Sequence, residues 1–179
     1  MISESYGGYR VMACGVRAGV EDPVGALADL RPEGDVWVQL YNPDAVASER
    51  HIVLAFMCAI DSFLSGTNRA KRVEVEVLRY LACSTQIEEA LRRAGVREGS
   101  KEVGVLIVSR AEVNPSEALS SVVEGLKGKL APELTFRGRA EDLLARYGVD
   151  PTKVARFPRS EGVEMYELLL LEEMVALRV

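Results

Sequence analysis

Histidine, tryptophan and cysteine are almost missing from this chain, which holds one, one and three of them in 179 residues. The three cysteines, Cys14, Cys58 and Cys83, lie 44 and 25 residues apart. No C-x-x-C metal or redox pair exists, and the apolar context of each thiol predicts a buried, reduced side chain. The lone histidine, His51, has no nucleophile elbow or triad signature around it and reads as a structural residue. Also absent are the H-E-x-x-H zinc motif, the phosphate-binding G-x-x-x-x-G-K-[ST] loop and the dinucleotide G-x-G-x-x-G. No catalytic residue, metal or cofactor is therefore expected.

Long hydrophobic runs are lacking too. The longest, Ile52 to Ile60, is too short to span a bilayer, and no basic-then-apolar leader is visible, so the expectation is a cytoplasmic protein with no membrane partner. An excess of cations is missing as well: 22 Lys and Arg face 27 Asp and Glu, a net charge of −5. Coating of nucleic acid by bulk electrostatics is excluded, and any such contact must come from a local patch. Lysine supplies only five of the 22 cations, and Asn and Gln are scarce, a bias that fits a heat-adapted or GC-rich source.

What is present is ordinary globular material, 48% hydrophobic and 27% charged, of a length that suits one domain over residues 1–179. The run from Arg10 to Val16, bounded by Gly7-Gly8 and Gly15, predicts a buried strand. Pro23, Ala26, Leu27 and Leu30 predict a helix stopped by Pro32 and Gly34, and Val36 to Tyr41 a second strand ended by Asn42-Pro43. Ala45 to Phe63 has helical length with apolar residues most of the way round, as a buried central helix would. Thr85-Gln86-Ile87-Glu88 has the form of a capping box, opening a helix that Gly95 closes. Lys101 to Ser109 is the most strand-like run and the candidate for the sheet centre. Asn114 and Pro115 open a helix through about Lys127. Leu134 to Phe136 is expected as a short strand, Glu141 to Arg146 as a short helix and Asp150-Pro151 as a further helical turn. Val163 to Leu177 predicts a helix with a very wide apolar face. Strands alternating with helices give an α/β class: a small mixed β-sheet flanked by several α-helices.

The segment Val73 to Leu81 is ambiguous, because Val-Glu-Val-Glu-Val alternates like a strand while Val73, Val77, Leu78 and Leu81 also fit one helical face. On a helix, Glu74 and Glu76 would point apart and could not act as a catalytic pair. Ahead of them stands a concentrated positive group, Asn68, Arg69, Lys71 and Arg72, with Arg79 two turns on. Were it to open a helix, free amides and the dipole would add to the cations and suit phosphate. Arg92, Arg93 and Arg97 form a second group that would merge with the first if the two helices are neighbours. The plain alternative is a solvated face.

The order Thr67-Asn68-Arg69-Ala70-Lys71-Arg72, then Glu74, Glu76, Leu78, Tyr80-Leu81, then Gln86-Ile87 with Ala90-Leu91 and Gly95, resembles a known family. It is the KEOPS (EKC) subunit family that includes the PRPK-binding protein, and the likeness runs over roughly residues 36 to 110. The resemblance implies a helix at Val73 to Leu81 and a small α/β protein without a catalytic centre. It implies binding to the small atypical kinase/ATPase subunit of KEOPS. It also implies help in recruiting tRNA, including the 3′ CCA end, for threonylcarbamoyl-adenosine formation in tRNAs reading codons that begin with A. Carried onto this chain, it makes Asn68, Arg69, Lys71, Arg72 and Arg79 the expected tRNA contacts. For the kinase, the apolar C-terminal helix offers Leu168, Leu171, Met174 and Val175, unless that helix is simply central in the core. A small-molecule or nucleotide-binding enzyme without a recognisable motif is the competing reading, and a deep pocket of converging titratable groups would betray it.

Overall fold

The computed structural model describes residues 1–30, 34–156 and 164–177. A β-hairpin opens the chain: β1 (Ile2–Tyr6) pairs with β2 (Tyr9–Val20) across Gly7 and Gly8, both at positive φ (57° and 81°), the backbone a tight two-residue hairpin requires. β2 then pairs with β4 (Ser100–Arg110), and β4 with β3 (Val36–Tyr41), giving the order β1-β2-β4-β3. A two-residue strand, β5 (Lys129–Leu130), pairs with β2, and all these pairings are antiparallel. The α/β class expected from the sequence is the one the chain adopts, with a sheet that is antiparallel throughout the described residues and not mixed.

β4 lies between β2 and β3, as its sequence predicted, and its continuous apolar run is explained by burial on both faces. Leu106 and Val108 enter one core with Val11 and Ala13 of β2; Val103, Val105 and Ile107 enter the other with Cys14, Val16 and Val38. The first core is covered by α2 (Glu49–Ser65) and α3 (Val73–Leu81), with Met174 of α7 (Met165–Ala176) reaching in. The second is covered by α5 (Pro115–Gly125) through Leu119 and Val122, with α1 (Pro23–Asp29) packed more loosely beside it. A third cluster joins Leu143, Leu144 and Tyr147 of α6 (Ala140–Tyr147) to Leu169 and Leu170 of α7.

The ambiguous Val73–Leu81 segment is a helix, and α4 (Ile87–Ala94) follows it. Caps explain most boundaries. Asp22 accepts the amides of Val24 and Gly25, the Ser48 hydroxyl accepts the His51 amide, and Asn114 accepts the Ser116 amide ahead of Pro115. Gly66 ends α2 at φ 71°.

Three sequence expectations need correction, and one strand was not foreseen. The Thr85–Glu88 capping box does not form: Gln86 is the cap residue with no side-chain bond of its own, and the Ser84 hydroxyl takes the Gln86 amide instead. Leu134–Phe136 is not a strand, since residues Pro132–Leu134 turn as a 3-10 helix. Gly15 does not bound its strand but sits inside β2, because the segment 131–135 crosses there so closely that a Cβ would lie 2.4 Å from the Ala131 carbonyl oxygen. Thr135 completes that crossing: its hydroxyl accepts the Gly15 amide and its carbonyl accepts the Tyr41 hydroxyl. Finally, Ile2–Tyr6 is a strand the sequence reading did not see. The C-terminal helix begins at Met165, while Val163 and Pro32 lie outside the described residues.

Candidate functional site

The basic motif lies on the loop from α2 to α3, and a buried ion pair shapes that loop. Glu76, in the first turn of α3, is fully buried; its carboxylate accepts the Nε and Nη2 of Arg79 at 3.0 and 2.7 Å. The same carboxylate accepts the backbone amides of Arg69 (3.3 Å) and Ala70 (2.8 Å) and the Ser62 hydroxyl. Arg79 uses Nη1 to hold the Ser84 carbonyl at 2.9 Å, and its guanidinium lies 4.2 Å from the centre of the Tyr80 ring. One Glu–Arg pair thus pins the loop before α3 and the turn after it. With every oxygen lone pair used, the pair escapes the cost that makes half-satisfied buried charges destabilising.

This geometry divides the five expected tRNA contacts. Arg69 and Lys71 are exposed, and Lys71 has no ion-pair partner among the described residues. Arg72 keeps 41% of its side chain exposed while pairing with Glu74, and half-buried Asn68 donates its amide to the Ala70 carbonyl. Arg79, 1% exposed with its nitrogens bound internally, is a structural cation and unavailable to a phosphate as the fold stands. The idea that the open start of a helix supplies amides to an anion is also overturned. Glu74 and Glu76 occupy that first turn, and the amides of Arg69 and Ala70 point inward to Glu76. Two members of the second arginine group, Arg92 and Arg93, are likewise engaged, while Arg97 is exposed. Arg92 and Arg93 both bind Glu89, whose carboxyl is pulled down to about 2 by the hydrogen bond from Arg92 and then by Arg93. Arg93 also donates to the carbonyls of Ala82 and Cys83.

The four apolar positions proposed on α7 divide in the same way. Met174 is fully buried, so it is part of the core and not of a docking surface. Leu168 and Leu171 are half-buried and Val175 is exposed, and together with Leu54 of α2 they line an open depression of about 470 Å³. A second depression of about 440 Å³ shares Leu54 and Leu171 and continues over Val53 and Met57. The two form one apolar groove between α2 and α7. Its charged rim is Glu4, Glu49, Arg50 and Glu172, three acids to one base. Sequence reasoning found the α7 wall; it missed the α2 wall because Ala45 to Phe63 was read as buried all round. The i, i+1, i+4 spacing of Val53, Leu54 and Met57 carries the missing signal.

His51 is held by backbone groups. The Ala47 amide donates to its Nδ1 at 3.2 Å, which leaves the proton on Nε2 to donate to the Leu81 carbonyl at 3.1 Å. Complete burial lowers its pKa to about 4, only partly offset by the Leu81 bond, so the ring is neutral at pH 7 and ties α2 to the end of α3. None of the three cysteines is in a disulfide; Cys14 and Cys58 are buried, and burial pushes the half-buried Cys83 thiol up to about 12. Among the described residues no group of three or more His, Cys, Asp or Glu is gathered to hold a metal, and no helix is long and apolar enough to cross a membrane.

The described residues form a layered α/β scaffold that uses its histidine and its buried Glu76–Arg79 pair to hold backbone and turns an apolar groove outward. The chain belongs to the family described as kinase binding protein CGI-121, whose model matches residues 25–153. A relative, the KEOPS complex subunit Cgi121 of Pyrococcus abyssi, is 31% identical over 87 residues, 48% of this chain and 48% of its own length. The match thus spans about half of that curated relative. The family expected from the Asn68–Gly95 motif order is the family found.

Proposed function

We propose that this chain is a noncatalytic KEOPS subunit that binds the assembly's small atypical kinase/ATPase subunit and helps recruit tRNA, including its 3′ CCA end, for threonylcarbamoyl-adenosine formation in the cytoplasm. The observation that carries the kinase half is the α2–α7 groove: Val53, Leu54, Met57, Leu168, Leu171 and Val175 leave a continuous apolar strip at the surface of a protein with a complete core beneath it. An apolar centre with a charged rim is the anatomy of a specific protein interface. The acidic bias of the rim favours a basic rim on the partner, which would speed encounter and fix orientation. Burying the strip against a partner fits a family whose description is kinase binding.

Support for the tRNA half comes from Arg69 and Lys71, exposed on a loop whose backbone Glu76 holds rigid, with Arg72 beside them. Rigid placement lowers the entropy lost when such cations meet phosphates. Titration of the kinase subunit into the intact chain tests the first half, and failure to associate at micromolar concentration contradicts it. For the second half, Arg69→Glu with Lys71→Glu is expected to weaken tRNA binding at least about tenfold, given two phosphate contacts reversed in sign. Unchanged tRNA affinity contradicts it.

A further inference from the structure

Away from both sites, the end of the sheet holds a polar concavity of about 510 Å³ lined by Arg17, Arg97, Lys101 and Arg137, by Asp44 and Glu102, and by Asn42 and Ser100. Four cations converge there from three separate stretches of chain, Arg17, Arg97 with Lys101, and Arg137, against two carboxylates, in a molecule whose net charge is −5. The fold does this deliberately enough to fix two of them. Arg137 is oriented by Asp44, at 2.9 Å from its Nε, and by Glu102 at Nη1; Arg17 bridges Glu102 and, outside the concavity, Glu133. Arg97 and Lys101 are exposed and carry no ion pair among the described residues. Asn42 has its side-chain oxygen taken by the Asp44 amide, which leaves its amide nitrogen, a donor, for a ligand.

We propose that this concavity is a phosphate-binding site for the backbone of a single RNA strand, distinct from the α2–α3 loop. Pre-oriented guanidiniums flanked by two unpaired cations match a phosphodiester, which accepts from planar forks and point charges alike. All eight lining residues are polar or charged. No aromatic ring lines the site, and its cations recognise charge and not base identity, so its ligand is a backbone phosphate. This inference rests on the polyanion half of the proposed function and adds the second place at which a strand is gripped.

The test uses the full chain and a labelled single-stranded oligoribonucleotide, with affinity measured across a salt series. Replacing Arg97 and Lys101 together by alanine leaves the fixed Arg137 network intact. Loss of two phosphate contacts is expected to reduce the slope of log affinity against log salt by about 1.4 and to weaken binding roughly 20-fold at 0.1 M salt. Changing the oligonucleotide sequence should not alter that loss. If affinity and slope stay at wild-type values while Arg69→Ala with Lys71→Ala lowers both, the site proposed here is wrong and the polyanion reading survives. If the wild-type chain binds no RNA even at low salt, both fall. Inorganic phosphate, added at constant ionic strength, should displace the oligoribonucleotide only at millimolar concentration, as a single phosphate contact does; displacement at micromolar concentration would mean that the ligand is free phosphate, which overturns the strand assignment.

Discussion

α3 and α7 make an instructive pair. α3 carries Glu74, Glu76 and Arg79 in nine residues, yet eight of its nine positions are buried. α7 is far more apolar, with four consecutive leucines, yet it turns Leu168, Leu171 and Val175 partly or wholly outward. Composition alone ranks the two helices the wrong way round. What decides is whether each side chain finds a partner inside the fold: the charges of α3 are matched by Arg–Glu pairing and backbone groups, whereas α7 has more apolar surface than α2 and α6 can cover.

The comparison breaks if α3's charges are dispensable. Glu76→Gln or Arg79→Met alone leaves a buried partner uncompensated and is expected to cost about 3–5 kcal/mol in urea unfolding. The double variant should cost much less than the sum of the two, and additive losses would show that the pair is not one unit. His51, which joins α2 to the end of α3, gives the next effect. Its folded pKa of about 4 lies below its ordinary value of 6.5, so the neutral ring contributes fully above pH 6.5 and that contribution is lost as pH falls toward 4. The full loss is about 3 kcal/mol, at about 1.4 kcal/mol per unit of pKa. Unfolding curves from pH 7 to pH 4 measure it, and His51→Gln should flatten that part of the profile relative to wild type.

On the α7 side the expected effect is on association. Val175→Asp should weaken kinase binding by about 2–3 kcal/mol, as an interface anchor does, with unfolding little changed because Val175 is exposed in the free chain. Met174→Ala should do the reverse, costing about 2–4 kcal/mol of stability, since Met174 fills the core. The smallest effect belongs to Lys71→Ala at the edge of α3, expected to shift stability by under about 0.5 kcal/mol. A larger change would mean that the loop depends on Lys71 as well as on Glu76.

Local signals were legible wherever they act through nearest neighbours. Pro23, Asn114-Pro115 and the β4 run marked their elements correctly because capping and alternation need no knowledge of the rest of the fold. β1 was invisible because Ile2–Tyr6 is an edge strand with a single buried residue, so no hydrophobic pattern betrays it. Gly15 misled because a glycine that admits a crossing segment looks, in sequence, like one that ends a strand. Arg79 misled for a related reason: its distance from Glu76 predicts an i,i+3 pair, but only the packing of α2, α4 and the sheet around α3 makes that pair a buried one. The concavity at the sheet end draws on residues from 17 to 137 and has no local signature at all.

The central claim is that the α2–α7 groove docks the kinase subunit, and a titration calorimeter with three forms of the chain tests it most directly. Wild type and Val24→Asp, a change at a 79% exposed position on α1 across the sheet, should bind alike. Leu54→Asp with Leu171→Asp, which lowers the melting temperature because both side chains are partly buried against the core, should bind at least about a hundredfold more weakly at a temperature where circular dichroism shows it fully folded. Equal affinity of all three forms would place the kinase elsewhere on the molecule and contradict the account.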